Sequence, residues 1–122
     1  MARVDKTESA IGVVRAKLAG AWTGSATPKG FGIDVNGRAV PGAGQSGVIG
    51  VVCQPRSLAA GDIVDIITAG ELVEFAGVAG TKYTALTTDG TISSAAVDAT
   101  HVPIGWTVEA TRLVLRCSAA IS

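Results

Sequence analysis

Few side chains in this sequence are able to do chemistry, and their spacing assembles no reaction centre. His101 is the only histidine. It stands in DATHVPIG, a connection ahead of an apolar run. A Ser-His-Asp relay needs a nucleophile within hydrogen-bond reach of the imidazole. The nearest serine motif, Gly44-Gln45-Ser46-Gly47, departs from G-x-S-x-G because Val48 stands where the second glycine belongs. His101 is therefore expected at the surface or in a subunit contact. Paired carboxylates occur at Asp62/Asp65 and Glu71/Glu74. On strands, Asp65 and the two glutamates would project to solvent, where charged side chains are normally found. Gly42-x-Gly44 lacks the strand-to-helix setting of a phosphate-cradling loop. Cys53 and Cys117 are too few for a zinc site and lie far from His101 in sequence. Each falls in an apparent strand, VVCQ and VLRCS, and both are expected as reduced, mostly buried thiols. The expectation is a protein with no catalytic residue, no metal and no cofactor, and hence no enzyme.

The bulk composition points to contact rather than catalysis. The 122 residues suffice for one domain, with 48% apolar and only 16% charged residues and 16 glycines. An average soluble domain carries roughly 25% charge and about 7% glycine. A chain this apolar leaves uncharged surface, and such surface usually marks interaction sites. Net charge is zero but unevenly placed. Residues 1–38 carry six basic and three acidic side chains, whereas residues 39–122 carry four basic and seven acidic ones. A basic arm on an acidic body suits docking onto an acidic surface. Nucleic acid is not favoured, because basic residues do not cluster and aromatics are too few to form a stacking platform. The start, MARVDKTES, has no apolar signal core. No unbroken apolar run is long enough to span a membrane as a helix. The expectation is a protein made and kept in the cytosol, unless a larger particle carries it out.

The elements that hold these residues follow an all-β pattern. The segment Arg56–Phe75 reads as a central hairpin. Two apolar runs, Ile63–Thr68 and Leu72–Phe75, rich in β-branched and aromatic residues such as Ile63, Val64, Ile66, Ile67, Val73 and Phe75, flank a break at Ala69-Gly70-Glu71. Val64 is expected in the core. Upstream, VIGVVCQ reads as a buried strand closed by Pro55. Downstream, Lys82–Thr87 and Thr91–Ala95 flank Asp89-Gly90, a strong hairpin signal. Ile104–Thr111 and Arg112–Cys117 make the last strands, with Leu113, Leu115 and Cys117 sharing one face. Some seven short strands with turn signals every 8–12 residues suggest a small β-barrel or sandwich. Residues 47–122 are read as that body. Residues 1–46 are read as an extended, Gly/Pro-rich docking arm and loop, in which Asn36-Gly37 forms a tight turn. The arm's candidate partner contacts are Arg3, Lys6, Arg15 and Lys17, with Trp22 and Phe31 as aromatic anchors. On this division, removal of residues 1–22 is expected to leave the body folded.

The body carries a family resemblance. The segments GVIGVVCQPRSLAAGDIVDIITAGELVEFAGVAGTKYTA, TTDGTISSA and VPIGWTVEAT followed by RLVLR resemble the small head-decoration proteins of tailed bacteriophages. The likeness covers some 75 residues. It rests on Gly/Ala/Thr turn patterns rather than on chemical signatures. It implies a compact β-barrel, typically a homotrimer, on the outer surface of the phage head. There it would clamp neighbouring major capsid subunits against internal DNA pressure. The resemblance brings no catalytic residue with it. Other classes remain open at this point: another virion structural piece (tail, head-joining or fibre-base), a small hydrolase, or a carbohydrate- or ligand-binding module that would need an exposed aromatic.

Overall fold

The computed structural model describes residues 3–4, 12–24 and 27–117. They form an all-β protein without a helix among the described residues. Ten strands make one antiparallel sheet that curls into an open half-barrel. They are β1 (Arg3–Val4), β2 (Gly12–Lys17), β3 (Lys29–Ile33), β4 (Ala39–Pro41), β5 (Gly50–Val52), β6 (Ile63–Val73), β7 (Lys82–Leu86), β8 (Ile92–Ser93), β9 (His101–Glu109) and β10 (Arg112–Arg116). The order across the sheet is β4-β3-β5-β6-β10-β9-β7-β8, with β1 and β2 also on β6.

The expected central hairpin is instead one continuous strand of 11 residues, β6. The Ala69-Gly70-Glu71 segment does not turn, because all three residues are held in a ladder. They pair with Arg116, Leu115 and Val114 of β10. A glycine between β-formers suggests a turn only while its partners are unknown; here the partner comes from the far end of the chain. β6 is the spine of the sheet. Ile67 pairs with Val13 of β2 and with Val51 of β5, so these strands lie on opposite edges. Leu72 likewise pairs with Val4 of β1 and Leu113 of β10.

β6 also joins two hydrophobic cores. Its Ile67 and Leu72 pack with Val51, Tyr83, Ile104, Leu113 and Leu115 in the larger one. Its Val64 and Ile66 pack with Leu18, Trp22, Phe31, Ala39 and Val52 in the smaller one. Val64 is buried, as expected. The second cluster overturns the division at residue 46. Leu18, Trp22, Phe31 and Ala39 are core residues, and β2, β3 and β4 are strands of the same sheet as the rest. The reading of residues 1–46 as an arm went astray because glycine and proline punctuate the segment so densely. Short strands between tight turns have the composition of a loop.

The two ends of the curled sheet meet without a continuous ladder. A single bridge links Lys29 to Thr91. Beside it, Gly30 N–H donates to Gly90 O at 2.8 Å, Gly42 N–H to Gly30 O at 2.9 Å, and Ala43 N–H to Thr87 O at 2.8 Å. Gly90 sits at φ 80, and a Cβ there would lie 2.1 Å from Gly30 O. The clasp therefore requires glycine at this position.

Candidate interaction surface

The residues expected to touch a partner are dispersed. Trp22 is 5% and Phe31 1% exposed. Their rings meet edge to face, 5.8 Å apart between centroids, and Trp22 Nε1–H donates to Gln54 O at 2.9 Å. They are anchors, but of the chain's own smaller core, and the reading of them as partner contacts is corrected. Arg15 and Lys17 are exposed on β2. Arg15 Nε–H meets Asp65 Oδ1 at 2.9 Å, directly across the strand pair. Arg3 lies in β1 opposite Val73. Lys6 lies outside the described residues.

The chemistry-bearing groups take structural places. The Asp98 carboxylate accepts hydrogen bonds from the Thr100 and His101 backbone N–H groups, each at 2.8 Å, and sits 3.0 Å from His101 Nδ1. Chiefly the Thr100 bond, then the imidazole, holds Asp98 well below the ordinary carboxylate range, at about 2. The His101–Asp98 pair thus closes the turn before β9. No disulfide joins Cys53 and Cys117. Burial pushes the Cys53 thiol up to about 11 and the Cys117 thiol to about 12, so both stay protonated and unreactive near neutral pH. Among the described residues, no group of three or more His, Cys, Asp or Glu is placed to hold a metal. A groove of about 220 Å³ is lined by Trp22, Phe31, Ala39 and Lys29 among others. That is smaller than the roughly 300 Å³ at which small-molecule sites begin.

The side chain that sequence reasoning did not single out is Trp106, 43% exposed. A bulge explains its direction. Pairing between β7 and β9 steps from Thr84↔Pro103 to Tyr83↔Gly105, leaving Ile104 as the extra residue. An extra residue reverses the in–out alternation beyond it. Ile104 and Gly105 are both buried, Trp106 and Val108 point out, and Thr107 points in. Gly105 is needed here, because a Cβ would lie 1.9 Å from Val114 O. Residues directly opposite one another share a face of the sheet. Lys82, Trp106, Val114 and Glu71 therefore form one outward cross-strand row over β7, β9, β10 and β6. Arg112 links this row to the hairpin end of β9–β10, through Glu71 Oε1 at 3.4 Å and Glu109 Oε1 at 3.2 Å. An exposed tryptophan with flanking valines and a mixed charged rim has the composition of a protein contact surface. The signal for it lay in the sequence Ile104-Gly-Trp-Thr-Val, but simple alternation puts Trp106 and Ile104 on the same side. Only the register shows them apart.

The fold so defined is that of a single-sheet, all-β half-barrel, and it is one already seen in a phage protein. A solved structure from Mycobacterium phage Patience superposes with a TM-score of 0.82, covering 96% of this chain and 96% of that one, at 17% sequence identity. No family model matches the sequence. No curated protein matches it either.

Proposed function

We propose that this chain is a bacteriophage capsid decoration protein, a non-enzymatic homotrimer that binds the outer surface of the head. It clamps neighbouring major capsid subunits and so stabilises the shell against internal DNA pressure. The observation that carries the reading is the full-length likeness to a phage protein of the same fold. The turn patterns of the body resemble the decoration family independently of that likeness. The physical features agree with the role. The molecule is small and knit by one sheet, so it can hold a contact surface rigid. Its outward Trp106 row offers an apolar anchor of the type that dominates interface energetics. Exposed Arg15 and Lys17 on β2 supply positive charge at a separate sheet edge. A trimer presents each contact three times, which raises avidity steeply even where a single contact is weak.

The test is mass by light scattering for the purified protein, followed by co-sedimentation with empty heads built from the major capsid protein of the same genome. A trimer that co-sediments with heads supports decoration. Retention on tails or on the head–tail connector instead would favour the second reading, another virion structural component with the same fold. A monomer that ignores all of these particles would overturn both.

A further inference from the structure

The chain holds one asparagine, Asn36, and a glycine follows it. The pair forms the tip of the β3–β4 hairpin. Asp34 N–H donates to Arg38 O at 2.8 Å, and Gly37 N–H donates to Asp34 O at 3.0 Å. Gly37 stands at φ 77, in the left-handed position that follows a type I turn in three-residue hairpin loops. Asp34 Oδ1 accepts from the N–H groups of Asn36 and Arg38, both at 2.9 Å. Val35, Asn36, Gly37 and Arg38 are all exposed, Val35 at 78%. Nothing lies within 4 Å of where a Gly37 side chain would begin.

We propose that Asn36 is a site of spontaneous deamidation, at a rate governed by the Asp34 clasp. The Gly37 amide nitrogen attacks Asn36 Cγ and forms the N–Cγ bond. The Cγ–Nδ2 bond breaks, and the side-chain nitrogen leaves as ammonia, carrying the proton lost by Gly37. Water then opens the five-membered imide at either carbonyl, leaving aspartate or its isomer with an added methylene in the backbone. Water is the only co-reactant. Glycine favours the step because it places no Cβ against the closing ring. The clasp opposes it: the Gly37 nitrogen must leave its bond to the Asp34 backbone carbonyl before it can reach Cγ, and the Asp34 carboxylate, which holds the Asn36 and Arg38 N–H groups, keeps the loop from opening far enough for it to do so. Reaction therefore proceeds from a locally opened loop.

The other acyl–glycine pair of this kind, Asp89-Gly90, is protected. Gly90 is buried, with its N–H bound to Leu86 O at 2.8 Å. The backbone N–H of Thr91 holds Asp89 ionised, and a carboxylate is a poor electrophile. Deamidation would take the formal net charge from zero to minus one. The new charge would lie beside Arg38 and the exposed Val35, at a projecting tip. The inference stands apart from the function proposed above.

The test incubates the full chain in mildly alkaline buffer, beside a synthetic peptide of residues 33–39, and follows both by mass and by peptide mapping. The expected result is a gain of about one mass unit per chain, mapped to Asn36, slower in the protein than in the peptide. Asp34→Ala should convert several-fold faster than the parent chain, and Asn36→Gln should gain nothing. An unchanged protein mass when the peptide is fully converted would overturn the site. So would an equal gain in Asn36→Gln. An unaltered rate in Asp34→Ala would overturn the role of the clasp.

Discussion

Trp22 and Trp106 are the same residue type in opposite employment. Trp22 is enclosed by Leu18, Phe31 and Val52 and hydrogen-bonded through its indole N–H, so Trp22→Ala opens a cavity in the smaller core. Such truncations cost about 3–5 kcal/mol. The expected outcome is a clear loss of stability in denaturant titration. Trp106 stands on the outer face over paired strands, and Trp106→Ala should leave the melting temperature nearly unchanged while weakening the proposed attachment to heads. A large loss of stability for Trp106→Ala would remove it from the contact surface and return it to the fold. Asp98 makes a different test. Its folded value, about 2, lies below the ordinary 3.8. Its contribution is therefore fully present above 3.8 and fades as pH falls from there towards 2. The difference in melting temperature between the parent and Asp98→Asn should shrink over that window. Because Asp98 is exposed, the effect should be small. A difference that grows on acidification would contradict the assignment.

Among the elements, β9 carries the most information per residue. Its bulge at Ile104 sends Ile104 into the larger core and turns Trp106 to solvent. Gly105 makes the approach of β10 possible. Gly105→Ala would drive a methyl group into the Val114 carbonyl, so the β9–β10 pairing must loosen. The expected result is a strongly lowered melting temperature and early hydrogen exchange in these two strands. Gly90→Ala should act at the sheet's other joint, where both the positive φ and the Gly30 carbonyl oppose a side chain. Its loss of protection should concentrate at Gly30, Gly42 and Ala43. Melting temperatures equal to the parent's in both variants would show that neither close approach matters.

Across the whole molecule, the two cores stand or fall together because β6 belongs to both. Deleting residues 1–22 removes the six residues of β2 from one edge of β6 and takes Leu18 and Trp22 out of the smaller core. The truncated chain should fail to fold cooperatively, with a flat or strongly downshifted melting curve. This reverses the expectation drawn from the sequence that the first 22 residues are dispensable. A truncated chain with the parent's melting curve would restore the arm.

What the sequence determined by itself was local. The apolar runs, the Asp89-Gly90 and Asn36-Gly37 turns, and the shared face of Leu113, Leu115 and Cys117 were all legible, because each depends on neighbours within a few residues. Tertiary structure decided everything that depends on distant partners. Gly70 continues a strand because Leu115 pairs with it from 45 positions away. Trp22 and Phe31 are core because Val52, Val64 and Ile66 cover them. Trp106 faces solvent because Ile104 is left over in the pairing with β7. Composition reports what a segment contains, whereas burial depends on which other segment arrives, and in a one-sheet protein that is settled by register.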